Sequence, residues 1–161
     1  MKRDRVFTTA FIAFALFATQ TSAQVLEEVV VTAQKREQQL SDVGISVTAF
    51  SGEQLQALGF SDTTQIDEQV PGLMVTDYGS GVTTIFTIRG SAQLDFADLQ
   101  EPPVAVYSDG AYNSYLAGVG FSFFDLERIE VLRGPQGTLF GRNATGGVVH
   151  LISNRPTREY E

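Results

Sequence analysis

Five glycines fall within the fourteen positions 134–147: Gly134, Gly137, Gly141, Gly146 and Gly147. Glycine enters positive φ without a steric penalty and lets another backbone approach closely, but it weakens the interior of a helix or strand. This stretch therefore suits a chain folded tightly within a confined space. It is flanked by two strand-like runs. In 128–132 Ile129 and Val131 alternate with Arg128 and Glu130, and Val148 to Ile152 is almost wholly apolar. That alternation puts the two charges on one side and the two aliphatics on the other. A phosphate-cradling loop is excluded, because the P-loop needs Gly-Lys-Ser/Thr and the only lysines are Lys2 and Lys35. A dinucleotide fingerprint fails as well: Gly118-Val119-Gly120 is followed by Phe123 where a third glycine belongs.

The first residues are set aside before the fold is read. Lys2, Arg3 and Arg5 precede an uncharged, mostly apolar run of 13 residues, 6–18, and the small residues Thr21-Ser22-Ala23 come after it. This is the layout of a secretory signal peptide, residues 1–23, with cleavage expected after Ala23. The run is too short for the ~20 residues that span a bilayer. Removing it takes away three of the Lys/Arg and one of the Asp/Glu, leaving 138 residues and a net charge of −10. Such acidity argues against nucleic acid and against anionic lipid surfaces as partners. With no cysteine, an exported domain must rest on its apolar core alone.

Residues 24–40 read as an extended, exposed arm. Val29, Val30 and Val31 follow Glu27-Glu28 and precede the polar run 34–39. A β-prone apolar run near a terminus is either a core strand or a strand waiting for a partner. Residues 41–157 read as one α+β domain: a small mixed β-sheet with short flanking helices and long loops. Residues 44–50 alternate as a strand. Ser51-Gly52-Glu53-Gln54 is a capping box opening a short helix, with Leu55 and Leu58 on one face and Gly59 as its stop. A second helix is expected over 62–69, ended by Pro71-Gly72. Residues 73–76, 84–88 and 104–107 are strand candidates, Asp109-Gly110 is a turn, and Asp125-Leu126-Glu127 reads as a helical turn.

No credible catalytic constellation emerges. His150 lies in a strand run and is expected to face solvent or a sheet neighbour. Asp95, Asp98 and Glu101 lack the calcium-loop pattern and read as a solvated loop. Asn143-Ala144-Thr145 matches a glycosylation sequon only formally. Neither metal nor cofactor is expected. Phe121, Phe123 and Phe124 are expected in the core; Tyr112 and Tyr115 are open to either packing or ligand contact.

The run 124–149, Phe-Asp-Leu-Glu-Arg-Ile-Glu-Val-Leu-Arg-Gly-Pro-Gln-Gly-Thr-Leu-Phe-Gly-Arg-Asn-Ala-Thr-Gly-Gly-Val-Val, closely resembles a segment of TonB-dependent receptor plug domains. Three stretches resemble the same family in the same order: Val29-Val30-Val31-Thr32-Ala33 its TonB box, Phe86-Thr87-Ile88-Arg89-Gly90 a strand end, and residues 104–112 a hairpin. The resemblance covers nearly all of 27–157. It implies a plug inside a 22-stranded β-barrel, in a receptor of the cell outer membrane that takes up a scarce ligand such as a siderophore, cobalamin or glycan. It implies that Glu28, Val29, Val30, Val31, Thr32 and Ala33 bind the TonB C-terminal domain. Arg89 and Arg133 would pair with glutamates of the barrel wall, and Tyr112 and Tyr115 would line a substrate-facing loop. A barrel needs roughly 200 membrane-crossing residues at ~9–11 per strand, so residues 158–161 are expected to be the start of a missing barrel region. The alternative reading is a free-standing periplasmic binding module without transport activity; a secreted hydrolase would need the nucleophile–base pair that is not found.

Overall fold

The computed structural model describes residues 29–78, 83–93, 100–115 and 124–157. Among these, nine strands form three sheets. β1 (Val30–Val31) and β2 (Gln38–Gln39) make a minimal antiparallel ribbon. β4 (Leu73–Tyr78) and β5 (Thr83–Ile88) pair antiparallel. The central sheet runs in the order β3 (Ser46–Ser51), β8 (Leu126–Arg133), β9 (Gly147–Ser153), β6 (Val104–Ser108), β7 (Ala111–Asn113). Its β6–β9 pairing is parallel, and the other pairings are antiparallel. The sheet is therefore mixed, as the sequence implied.

The inner strands β8, β9 and β6 bury both faces, and the two-residue period sorts their side chains into two cores. Ile129, Val131, Val149, Leu151, Val104 and Val106 point to the first. They meet Leu55 of α1 (Gly52–Ala57), Ile66 of a 3₁₀ turn (Thr63–Glu68), and Leu73, Phe86 and Ile88 of the β4–β5 ribbon. Leu132, Val148, Ala105, Tyr107 and Ala49 point to the second, which is roofed by Val31 and Ala33 of the arm and by Phe140 of α2 (Gly137–Phe140) and Ala144.

The capping box forms as read: Gln54 N–H donates to Ser51 Oγ and Ser51 N–H to Gln54 Oε1. Leu55 is buried but Leu58, expected beside it, is exposed, because the helix stops there and Gly59 turns away with φ 75°. The second helix is a 3₁₀ turn rather than an α-helix, opened by Asp62 accepting from Thr64 N–H. Asp125 to Glu127 is not helical. Asp125 takes φ 52° as a hinge, and β8 begins at Leu126. Phe124, expected in the core, stands 87% exposed; Phe121 and Phe123 lie outside the described residues.

Candidate functional site

Three places carry the site residues. The first is the arm. Read as exposed, it instead lies over the second face of the sheet: Val31 and Ala33 are fully buried, while Val30 is 44% exposed. β1 pairs Val30 with Gln39 and Val31 with Gln38. Lys35 N–H closes a turn on the Thr32 carbonyl at 2.8 Å, helped by a positive φ of 56° at Lys35, and Leu40 N–H reaches the Val29 carbonyl at 3.1 Å. The physical cause is the apolar second face, which the arm covers and takes out of water. Glu28 lies outside the described residues.

Beneath the arm sits a charged group that the alternation alone had placed away from the aliphatics. Glu130 is fully buried. Its Oε1 accepts from Thr32 N–H at 2.7 Å, from Thr32 Oγ1 at 3.2 Å and from Arg128 Nε at 2.9 Å. Arg128 Nη2 donates to Thr32 Oγ1 at 3.3 Å, and Arg128 also pairs with Glu127. Charge-assisted bonds of this kind are about twice as strong as neutral ones. Glu130 is the cross-strand partner of His150, which is also buried. Burial pushes the His150 imidazole below its usual range, while the Glu130 carboxylate partly opposes this. Sequence reading missed this cluster; the available signal was that the flanking positions on the same face, Leu132 and Val148, are aliphatic, which marks the face as covered.

The second place joins the two arginines. Arg89 follows β5 with φ 52°, and its N–H donates to the Gly72 carbonyl at 2.8 Å. Its guanidinium runs beside Gly134, where an added Cβ would lie 3.7 Å from Nη1. Arg133, the last residue of β8, donates from Nη1 to the Pro71 carbonyl at 3.0 Å. Residues 44 positions apart in sequence thus meet at one turn, Pro71-Gly72. Arg89 is exposed and Arg133 half-buried.

The third place is β7 with the residues just after it. Tyr112 is not open: its Oη accepts from Asn143 Nδ2 at 2.8 Å, its ring lies 5.5 Å from that of Tyr107, and it packs against the second core. Burial raises its phenol pKa, with the Asn143 bond opposing. Tyr115 is 57% exposed. Nearby, Arg142 pairs with Glu101 at 2.7 Å on the surface; Asp95 and Asp98 lie outside the described residues. Among the described residues no cluster of His, Asp or Glu is placed to hold a metal ion.

Residues 39–148 match the family described as TonB-dependent Receptor Plug Domain. The chain belongs to that family. The plug is 29% identical over 160 residues to the pesticin receptor of Yersinia pestis, covering 97% of this chain and 23% of that one. It is 33% identical over 152 residues to the iron-regulated outer membrane virulence protein of Vibrio cholerae, covering 92% of this chain and 22% of that one. Among solved structures, the ferric yersiniabactin uptake receptor FyuA from Yersinia pestis superposes with a TM-score of 0.63 at 29% identity, over 72% of this chain and 18% of that chain. The plug thus spans less than a quarter of the length of these relatives.

Proposed function

We propose that this plug serves an outer-membrane receptor that takes up a scarce ligand, of the siderophore or cobalamin kind, with energy delivered through TonB. The observation that carries the reading is the family match over 39–148, which takes in most of the central sheet. Relatives described as uptake and pesticin receptors support a transport role rather than an enzymatic one. Export with cleavage after Ala23 and enclosure in a 22-stranded barrel belong to the same proposal.

Residues 28–33 are the segment offered to TonB. Its C-terminal domain would take the valine run as an added strand, because extended backbone N–H and C=O groups pair with an open sheet edge. Arg89 and Arg133, gathered at Pro71-Gly72, suit bidentate pairing with barrel carboxylates. Tyr115 is the better placed of the two tyrosines to meet a ligand, since Tyr112 is tied to Asn143.

The test is titration of a peptide of residues 24–38 with the C-terminal domain of the cognate TonB. Wild-type peptide should bind. Val30→Pro should abolish binding, since proline lacks a ladder donor and fixes φ. Val30→Thr should be mild, because β propensity survives. Equal binding by the wild-type and proline peptides would show that strand addition at the valines is wrong.

A further inference from the structure

A cleft of about 500 Å³ opens between the turn at Lys35 and the central sheet. It is lined by Lys35 and Arg36 from that turn, Tyr107 from β6, Gly110, Phe140 from α2 and His150 from β9. Its volume lies within the range of small-molecule sites. Tyr107 and Phe140 are both buried and meet edge-on, with ring centroids 5.2 Å apart, so they give the cleft an aromatic wall. The Lys35 ammonium stands 5.5 Å from the centre of the Phe140 ring.

The charge around this cleft runs against that of the chain. Beyond residue 23 there are eight Lys/Arg against eighteen Asp/Glu. Four of those eight cations border this cleft or a second one that meets it at Thr32, Gly110 and His150: Lys35 and Arg36 here, Arg128 and Arg155 there. The carboxylates that share the lining are engaged. Glu37 faces Arg155 at 3.7 Å, and Asp109 accepts from Ser153. Arg128 is taken by Glu127 and Glu130. Lys35 and Arg36 have no carboxylate partner among the described residues, and Arg36 reaches the neutral Gln34 amide at 3.2 Å. The surplus positive charge therefore belongs to the first cleft.

His150 adds a buried donor. It is 8% exposed, and its Nε2 is occupied by the Gly110 N–H at 3.1 Å. The ring proton is therefore on Nδ1, which is buried with no hydrogen-bond partner among the described residues. A buried donor left unpaired is costly, so an acceptor brought to it is favoured. Glu130 Oε2, across the β8–β9 pair, is likewise unpartnered among the described residues. A water shared by the two is the rival arrangement, and it would leave Nδ1 indifferent to any ligand.

We propose that this cleft binds a small planar aromatic carboxylate. The ring lies against Tyr107 and Phe140, and the carboxylate meets the Lys35 ammonium, backed by Arg36, and accepts from His150 Nδ1–H. Aromatic walls favour a flat ring, which packs on them in offset or edge-on geometry. Charge-assisted bonds favour a carboxylate over a neutral group. Inorganic phosphate would gain the charges but nothing from the aromatic wall. The site is built from side chains of this chain alone and does not rest on the transport reading.

NMR titration of the full chain with 2-naphthoate tests it. Amide shifts should concentrate at Lys35, Arg36, Gly110 and Phe140, and residues 83–88 of β5 should stay still. The His150 Nδ1 resonance should move along the same binding curve. Lys35 is exposed, so Lys35→Gln leaves the fold intact. It should weaken binding by about fivefold to tenfold, the scale of one bond to a charged group, and Lys35→Arg should keep most of the affinity. The same ring with the opposite charge, 2-naphthylmethylammonium, should not bind. Its saturated counterpart, decalin-2-carboxylate, should bind more weakly than naphthoate because it is not flat. Equal binding of naphthoate and the ammonium would make the cleft an unselective apolar surface and overturn the proposal. Unchanged affinity in Lys35→Gln, or shifts centred outside the cleft, would overturn it too. An Nδ1 resonance that ignores the ligand would assign that proton to the shared water and overturn the part given to His150.

Discussion

His150 Nε2 accepts the backbone N–H of Gly110 at 3.1 Å, which fixes the imidazole as the neutral Nδ1–H form. The bond ties β9 to the Asp109-Gly110 turn, where Asp109 also accepts from Ser153 N–H and Ser153 Oγ. Protonating Nε2 would break it. Burial depresses the imidazole pKa most; Arg128 and Lys35 depress it further, while Glu130 and Asp109 oppose. In the unfolded chain the ring takes a proton below its ordinary value of 6.5. In the folded chain it stays neutral to lower pH. Within that window the unfolded state holds more protons, so stability rises with pH and is lost as pH falls below 6.5. Denaturant midpoints across this range should slope upward in the wild type and flatten in His150→Gln. An unchanged slope would assign the acid sensitivity to other groups.

Helix α1 lies on β8 with no room between them. A Cβ added at Gly52 would overlap the Leu126 carbonyl oxygen. That oxygen belongs to backbone and has nowhere to go, so Gly52→Ala should destabilise the chain by about 1–3 kcal/mol, the range for overpacking. Ala57, exposed at the other end of the same helix, supplies the comparison as Ala57→Ser. Urea denaturation of both decides it; equal midpoints would mean that α1 shifts away freely.

The local devices of this fold were legible in the sequence because each is a short-range effect. The Ser51/Gln54 capping box, the Asp109-Gly110 turn and the alternation in β8 depend on residues a few positions apart, and all appear where read. What was missed depends on long-range cover. Val31 looked like an exposed strand because its cover, Leu132 and Val148, lies over a hundred positions away. The alternation set Glu130 on the face opposite Ile129 and Val131 but could not show what covers that face, because the arm above it is 98 positions off. Leu58 and Phe124 looked like core residues because they are apolar, yet periodicity cannot say where an element ends. Of the candidate site, the two arginines were legible by family resemblance, but their meeting at Pro71-Gly72 was not.

Tyr107 carries a bond that its aromatic neighbours conceal. Its Oη donates to the Phe140 carbonyl at 2.6 Å, and its ring meets Phe140 edge-on at 5.2 Å. α2 is only four residues long, so it depends on such tethers. Tyr107→Phe keeps the ring contact and leaves a buried carbonyl short of a donor, which should cost about 1–3 kcal/mol. Thermal denaturation measures the loss, and amide exchange at residues 137–141 should report it first. A variant as stable as the wild type would show that water replaces the hydroxyl.

Arg133 separates what the plug does for itself from what it would do for a barrel. In the chain alone its half-buried side chain bonds the Pro71 carbonyl, and its Nε is buried without a partner among the described residues. Losing such a bond should cost about 0.5–1.5 kcal/mol. Arg89 holds Gly72 through its backbone N–H, a bond that survives truncation of the side chain. Enclosed by a barrel, the Arg133 guanidinium would lose water and face a wall carboxylate. Removing it there would strand the carboxylate, a loss of about 3–5 kcal/mol. Arg133→Ala should therefore lower the stability of the chain alone by no more than about 1.5 kcal/mol, but should clearly speed amide exchange of the plug in a full-length receptor. Arg133→Lys should recover only part of the effect, because a point charge cannot bond a carboxylate bidentately. A large stability loss in the chain alone would make Arg133 a residue of the domain's own architecture, and the barrel-lock role would then have no support from it.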